Sequence, residues 1–331
     1  MINIALFGSG RIGRIHANNI NSHPLCRLVH VVDPHKPSAE ELADRFGASV
    51  VEAEHALSNE EIHAVFICSP TDTHATLIER AARYQKAIFC EKPIDLSSQR
   101  VRKCLAVVEQ ENALFMIGFN RRFDPSFAKL KHAVSENKIG NPESLVIISR
   151  DPQAPPNEYL RASGGMFKDM TIHDFDMARF LYGQDVLAVS ASGRCLVDKR
   201  IELEGDIDTA MVTLEFACGG LATIINSRRS GYGYDQRIEF HGSKGLIKAE
   251  NVKSSLLEVW SAEGCLAETP LDFFLERYKE AYEMELQHFV DVFKGIVPNT
   301  CDGEAGLKAM LLAEASLLSF KTGQRIELSE L

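Results

Sequence analysis

Residues Leu6 to Gly13 read L-F-G-S-G-R-I-G, with an apolar run before them and, at Asp33, an acid closing a second apolar run, L-V-H-V-V-D. The three glycines have separate physical duties. Gly8 lets the chain turn tightly out of a strand predicted over Asn3 to Phe7, Gly10 lets backbone come close to a diphosphate, and Gly13 lets a helix predicted over Ile12 to Asn19 pack near the sheet. The helix N-terminus then faces the phosphates. Glycine turns are common, and the strand-turn-helix setting with a carboxylate about twenty residues on is what narrows this one to a dinucleotide site. The candidate cofactor residues are therefore Gly8, Ser9, Gly10, Arg11, Ile12 and Gly13 of the turn, with Asp33 to accept hydrogen bonds from the adenosine ribose. A carboxylate there repels a 2′-phosphate, and Pro34 and His35 bring no arginine to hold one, so NAD is expected over NADP; His35 and Lys36 argue the other way.

At 331 residues the chain exceeds the size at which a single core stops growing, so two domains are expected. A formal net charge of -10 leaves no basic stripe, which argues against nucleic acid or an anionic membrane as partner. The eight cysteines, scattered without any CxxC and several of them inside apolar runs, read as reduced core residues of a cytoplasmic protein. The sequence opens directly into its first predicted strand with no signal peptide, and no apolar stretch approaches the ~18 residues of a membrane span.

The first 120 residues alternate β-rich runs with helical patterns, the signature of an α/β Rossmann domain, a doubly wound parallel sheet covered on both faces. Strands are predicted at Asn3 to Phe7, Leu28 to Asp33, Ala64 to Ile67, Ala87 to Cys90 and Leu114 to Gly118. After residue 120 strand-like runs follow one another with few helices between them. In A-M-V-T-L-E-F, Ala210, Val212, Leu214 and Phe216 share one face at period two, which predicts an α+β domain over 121–331 with a large open, mostly antiparallel sheet. Helices Asp169 to Leu181, Leu275 to Phe293 and Gly303 to Thr322 would cover one face. The other would meet solvent or a second subunit, so a homo-oligomer, a tetramer or dimer, is expected.

Ligands on a parallel sheet bind at the carboxyl ends of its strands, and Glu91-Lys92-Pro93 follows such an end. A lysine there is commonly a solvated charge; the following proline restricts the backbone and can aim Lys92 at a ligand, where an ammonium would hydrogen-bond a substrate hydroxyl. The segment G-G-M-F-K-D-M-T-I-H-D-F-D-M-A-R-F-L is the second constellation. If one helix begins after Gly164 and Gly165, Asp169 and His173 lie four residues apart on one face. An imidazole titrates near neutrality, so His173 could take the proton of an alcohol as hydride leaves the same carbon, with Asp169 orienting the substrate. The plainer alternative is a polar pair on the wet face of a helix. Asp169, His173 and Asp176 could also be read as metal ligands, but they occupy mixed faces with no further convergent ligand, and hydride transfer needs none, so no metal is expected.

With G-S-G-R-I-G-R-I-H, E-K-P, G-F-N-R-R-F-D-P-S-F and G-G-M-F-K-D-M-T-I-H-D-F-D-M-A-R-F together, the chain resembles the Gfo/Idh/MocA oxidoreductases over nearly its whole length, and among them the inositol 2-dehydrogenases. The resemblance implies that Lys92, Asp169 and His173 are catalytic, with His173 as acid/base. It implies further that Glu91, Lys92, Ser69, Pro70, Thr71 and His74 lie along the cofactor; His74 could equally cap the helix that starts there. Substrate hydroxyls would meet Lys92, Arg121, Asp151, Asn157, Asp169, His173 and a tyrosine of S-G-Y-G-Y-D, either Tyr232 or Tyr234. A cyclic polyol such as myo-inositol, or a sugar, fits that equipment, because a ring bearing hydroxyls on every face needs many donors and acceptors in its site. The rival readings are a scyllo-inositol or aldose dehydrogenase with the same three residues, and an NAD-binding redox sensor without turnover.

Overall fold

The computed structural model describes residues 1–330. The chain divides into two compact units, one formed by residues 1–120 and 281–310, the other by 121–280 and 311–331. The sequence boundary near 120 took no account of 281–310, which cluster with the first unit. The reason is aromatic: the ring of Phe289 meets Phe66 edge-on at 5.0 Å, and Tyr282 meets His16 edge-on at 5.6 Å.

In the first unit β1 (Ile2–Phe7), β2 (Cys26–Val32), β3 (Ser49–Val50), β4 (Ala64–Ile67), β5 (Ala87–Glu91) and β6 (Phe115–Gly118) form one sheet in the order β3-β2-β1-β4-β5-β6. Every pairing in it is parallel. Strands buried on both faces must be apolar throughout, and Ala64–Ile67 is buried at all four positions. The connecting helices include α1 (Arg11–Ser22), α2 (Lys36–Phe46), α3 (Ala53–Ser58), α4 (Thr71–Arg83) and α5 (Ser98–Gln110). α2 begins at His35, whose ring accepts from the Ser38 N–H, and ends at Gly47 with φ +66°, the left-handed residue that stops a helix without a Cβ penalty. The order of strands reverses between β1 and β4, which is where such sheets bind ligands.

The second unit is built on seven strands: β7 (Pro142–Arg150), β8 (Val186–Arg194), β9 (Thr209–Phe216), β10 (Leu221–Ser227), β11 (Asp235–Gly242), β12 (Gly245–Ala249) and the short strand Ile326–Glu327 at one edge. Only β7 and β10 run parallel; the other neighbours are antiparallel. The period-two expectation holds, since Ala210, Val212, Leu214 and Phe216 are buried while Met211 is 57% exposed. The helices of this unit include α6 (Pro125–Ser135), α7 (Asn157–Ser163), α8 (Met166–Asp169), α9 (Thr171–Tyr182) and α10 (Lys199–Leu203). α9 packs on β7 and β10, the strands at the centre of the sheet.

Candidate active site

The glycine turn carries out the duties its spacing assigned. Gly8 has φ +99°, and a Cβ there would lie 2.6 Å from the backbone of Cys68, while one on Gly13 would lie 1.9 Å from the Gly8 carbonyl oxygen. Close packing of α1 on the turn and of the turn on the end of β4 therefore demands both glycines. Gly10 differs: a Cβ there would meet nothing within 4 Å, so protein packing gives no reason for a glycine, and approach of a diphosphate does. Asp33 Oδ2 accepts from the Ser9 N–H at 2.7 Å and the Ser9 hydroxyl at 2.8 Å, and Oδ1 accepts from the His35 N–H at 2.8 Å. Burial pushes this carboxyl up, but the hydrogen bonds from Ser9 and His35 outweigh it and hold it below its ordinary value, so it is ionised and fixed. The residues present fit a dinucleotide whose ribose lies at Asp33.

Two more loops leave the same end of this sheet. His74 is 2% exposed in α4, with Nδ1 2.8 Å from the Pro93 carbonyl and Nε2 2.7 Å from the Ser69 carbonyl. Burial pulls its basicity down and the two carbonyls pull it up. With a backbone carbonyl at each ring nitrogen, His74 ties the S-P-T loop to the E-K-P turn. The Lys92–Pro93 peptide is cis. Glu91 turns inward, its Oε1 2.8 Å from Nε2 of His16, and half-buried Lys92 follows it out of β5.

In the second unit the predicted continuous helix from Asp169 is broken. α8 ends at Asp169, Met170 stands between, and α9 begins at Thr171, so His173 lies half-buried in the first turn of α9. Gly165, at φ +87°, packs against Asp206, and Asp206 Oδ1 accepts from the Met166 N–H at 3.0 Å, which caps the short helix. Asp169 is held from two sides. Its Oδ1 accepts from the Tyr159 hydroxyl at 2.7 Å and its Oδ2 from Nη2 of the buried Arg228 at 3.2 Å. Asp151 belongs to the same charge group: burial pushes it up to about 6, Asp169 adds to the rise, and Arg228 and Arg121 oppose it. Asn157 opens α7, two residues before Tyr159.

Arg121, expected at a substrate hydroxyl, is held inside the second unit by an acid. It is 5% exposed, with Nη1 donating to Asp174 at 2.6 Å and to the Ser149 hydroxyl at 3.1 Å. A buried guanidinium needs a counter-ion, and Asp174 supplies it, so Arg121 acts on the helix of His173. Asp174 also accepts from Ser149 at 2.6 Å and from Asn226 Nδ2 at 2.7 Å. Of the two tyrosines, Tyr232 is 45% exposed and its hydroxyl donates to Asp235 at 2.6 Å. Tyr234 is 6% exposed and lies in the electrostatic field of Arg121, Asp151 and Asp174, where burial raises its phenol well above its ordinary value. Sequence reasoning missed Tyr159, Arg228, Asp174 and Asn226. The available signal was Asn226, a polar residue in the apolar run I-I-N-S at an inward position of β10.

A family model described as an oxidoreductase family with an NAD-binding Rossmann fold matches residues 2–119, and the GFO/IDH/MocA C-terminal domain matches residues 127–248. The inositol 2-dehydrogenase of Rhizobium meliloti is 46% identical to this chain over 328 residues, 99% of each. The chain belongs to the Gfo/Idh/MocA oxidoreductase family. Another member, the myo-inositol 2-dehydrogenase of Thermotoga maritima, is 41% identical and covers 99% of this chain and 98% of its own length. Among solved structures of the family, scyllo-inositol dehydrogenase from Lactobacillus casei with bound NAD(H) and scyllo-inositol superposes with a TM-score of 0.92 at 28% identity, covering 99% of this chain and 99% of that one.

Proposed function

We propose that this chain is an NAD-dependent dehydrogenase that oxidises a ring hydroxyl of myo-inositol, or of a closely related cyclic polyol, to the ketone. When bound, NAD supplies the acceptor for the hydride that leaves the carbinol carbon. The chain's own side chains manage the rest. His173 takes the hydroxyl proton, and the Lys92 ammonium hydrogen-bonds the reacting oxygen and favours loss of that proton. Asp169, fixed by Tyr159 and Arg228, accepts from a ring hydroxyl, and Asp151, Asn157 and Tyr234 or Tyr232 meet the others. Ser9, Arg11, Ile12 and the three glycines border the diphosphate, Asp33 takes the ribose, and Ser69, Pro70, Thr71, Glu91 and Lys92 bound the nicotinamide end.

The observation that carries this reading is the Asp169 anchor: a carboxylate locked by Tyr159 and Arg228 one residue before the break that starts the helix of His173. A solvated helix face would not hold its acid this way. Among the described residues no helix is long and apolar enough to cross a membrane, and all eight cysteines are free, which supports a cytoplasmic enzyme. We place the molecule in a homotetramer. Register aligns Met211, Ile225 and Ile148 in a row across β9, β10 and β7 on the side away from the buried Val212 and Ile224, and a separate hairpin, Glu258–Ser261 with Gly264–Ala267, exposes Trp260 at 77% and Leu266 at 74%.

The test is NADH absorbance on mixing protein with NAD or NADP and a panel of inositols and aldoses. Turnover of myo-inositol with NAD is expected, and His173→Ala should lower it by roughly two to four powers of ten with NAD affinity nearly unchanged. Preference for scyllo-inositol or an aldose would reassign the substrate within the family. Tight NAD binding with no turnover of any polyol would leave a redox sensor.

A further inference from the structure

Behind the E-K-P turn the first unit encloses two carboxyl groups and an imidazole. One oxygen each of Glu91 and Glu285 and one ring nitrogen of His16 lie within 4.8 Å of one another. Glu285, from the helix Lys279–Phe293, is 0% exposed, and neither of its oxygens meets a hydrogen-bond partner among the described residues. The walls are apolar: Phe89 stacks on Phe66 at 4.6 Å, Phe289 closes the edge at 5.0 Å, and the His16 ring lies 4.9 Å from Phe89. Gly118 makes room for the group, since a Cβ there would lie 3.3 Å from Glu91 Oε2. The titratable groups around the two carboxyls are His16 from α1, Tyr282 from the same helix as Glu285, Cys68 after β4, Cys90 on β5 and His74 on α4. None of these is a fixed cation; the Lys92 ammonium, next to Glu91 in the chain, acts with it on His74.

Two ionised carboxylates this close, walled by phenylalanines, repel each other and lose their hydration. One proton between them removes both costs. We propose that Glu91 and Glu285 share a single proton and, with His16, form a buried clasp that fastens the Glu91-Lys92-Pro93 turn to α1 and so positions Lys92. Burial, with the Glu91 charge beside it, holds the Glu285 carboxyl well above the usual range. The shared proton would make Glu285 a neutral donor toward Glu91, whose Oε1 also lies 2.8 Å from Nε2 of His16. α1 begins at the glycine turn, so the clasp joins the diphosphate-binding helix to the turn that carries the lysine. The positioning part rests on the reading of Lys92 given above, whereas the shared proton does not.

The wild type should show the carbonyl stretch of a protonated carboxyl at pH 7 in an infrared difference spectrum against Glu285→Gln, and should retain no stoichiometric divalent metal after dialysis. An amide N–H can replace the shared proton as donor to Glu91, so Glu285→Gln should keep kcat within about twofold. Glu285→Leu leaves Glu91 charged with no donor from that side, and a turn displaced by about an ångström should lower kcat ten- to a hundredfold while the Kd for NAD changes little. Absence of the carbonyl band, a bound metal that Glu285→Gln loses, or a Glu285→Gln variant as slow as Glu285→Leu would overturn the shared proton. Normal kcat in Glu285→Leu would overturn the positioning role. Infrared band and metal content are read without substrate, so a failed polyol assay counts against the proposed function alone.

Discussion

Asp33 shows how much a single carboxylate settles. It offers about four lone-pair sites, and Ser9 and His35 occupy three of them, which leaves roughly one for the ribose hydroxyl of the proposed cofactor pose. Asp33→Ala should therefore weaken NAD and relax its discrimination against NADP, read as the ratio of kcat/KM with the two cofactors; an unchanged ratio would assign the ribose to another residue. Asp151 adds a pH step. Its carboxyl, held at about 6 by burial, is ionised above that pH and protonated below it, so a hydroxyl that donates to it binds less well in acid. KM for the polyol should rise as pH falls through 6 and stay level in Asp151→Asn, with the Kd for NAD following neither. At this scale the packing duties of Gly8 and Gly13 were legible because backbone geometry writes itself into residue type. The ion pair of Arg121 was not legible, because its counter-ion Asp174 lies some fifty positions away in the sequence.

Among elements, the break at Met170 matters most. α8 ends there with the Asp169 side chain bonded to Tyr159 and Arg228, and α9 starts at Thr171, two residues before His173. Periodicity could not find it, since Phe167, Met170, Phe175 and Ala178 are buried and read as one apolar stripe across both helices. The hand-over is fixed by polar bonds: Arg121, Ser149 and Asn226 all donate to Asp174, and Arg122 forks onto Asp176 at 2.7 and 2.5 Å. Asp174→Ala leaves a buried guanidinium unpaired and should cost roughly 3–5 kcal/mol in denaturant unfolding. A loss under about 1 kcal/mol would mean the network contributes little to holding the helix. The parallel strands were legible because burial on both faces makes their apolar runs continuous; the two-residue strand Ser49–Val50 and the helices α3, α7 and α8 are too short for a period to register.

For the whole molecule, division into a nucleotide unit and a sheet unit was legible from the change of pattern at residue 120. The return of residues 281–310 to the first unit was not, because it depends on ring contacts between Phe66 and Phe289 that sequence spacing does not encode. The row of Met211, Ile225 and Ile148 puts apolar atoms on an outward sheet face, so if the proposed homotetramer forms through it, Met211→Glu should lower the mass seen by light scattering without unfolding the chain; a tetramer mass unchanged in the variant, or a monomer mass in the wild type, would contradict assembly through this face. The central claim concerns the atom that moves. With myo-inositol carrying deuterium at every ring carbon, each NADH formed should contain one deuterium at the nicotinamide ring by mass spectrometry, and His173→Ala should slow its formation without altering that label. Unlabelled NADH, or no NADH from myo-inositol at any pH, would contradict the account.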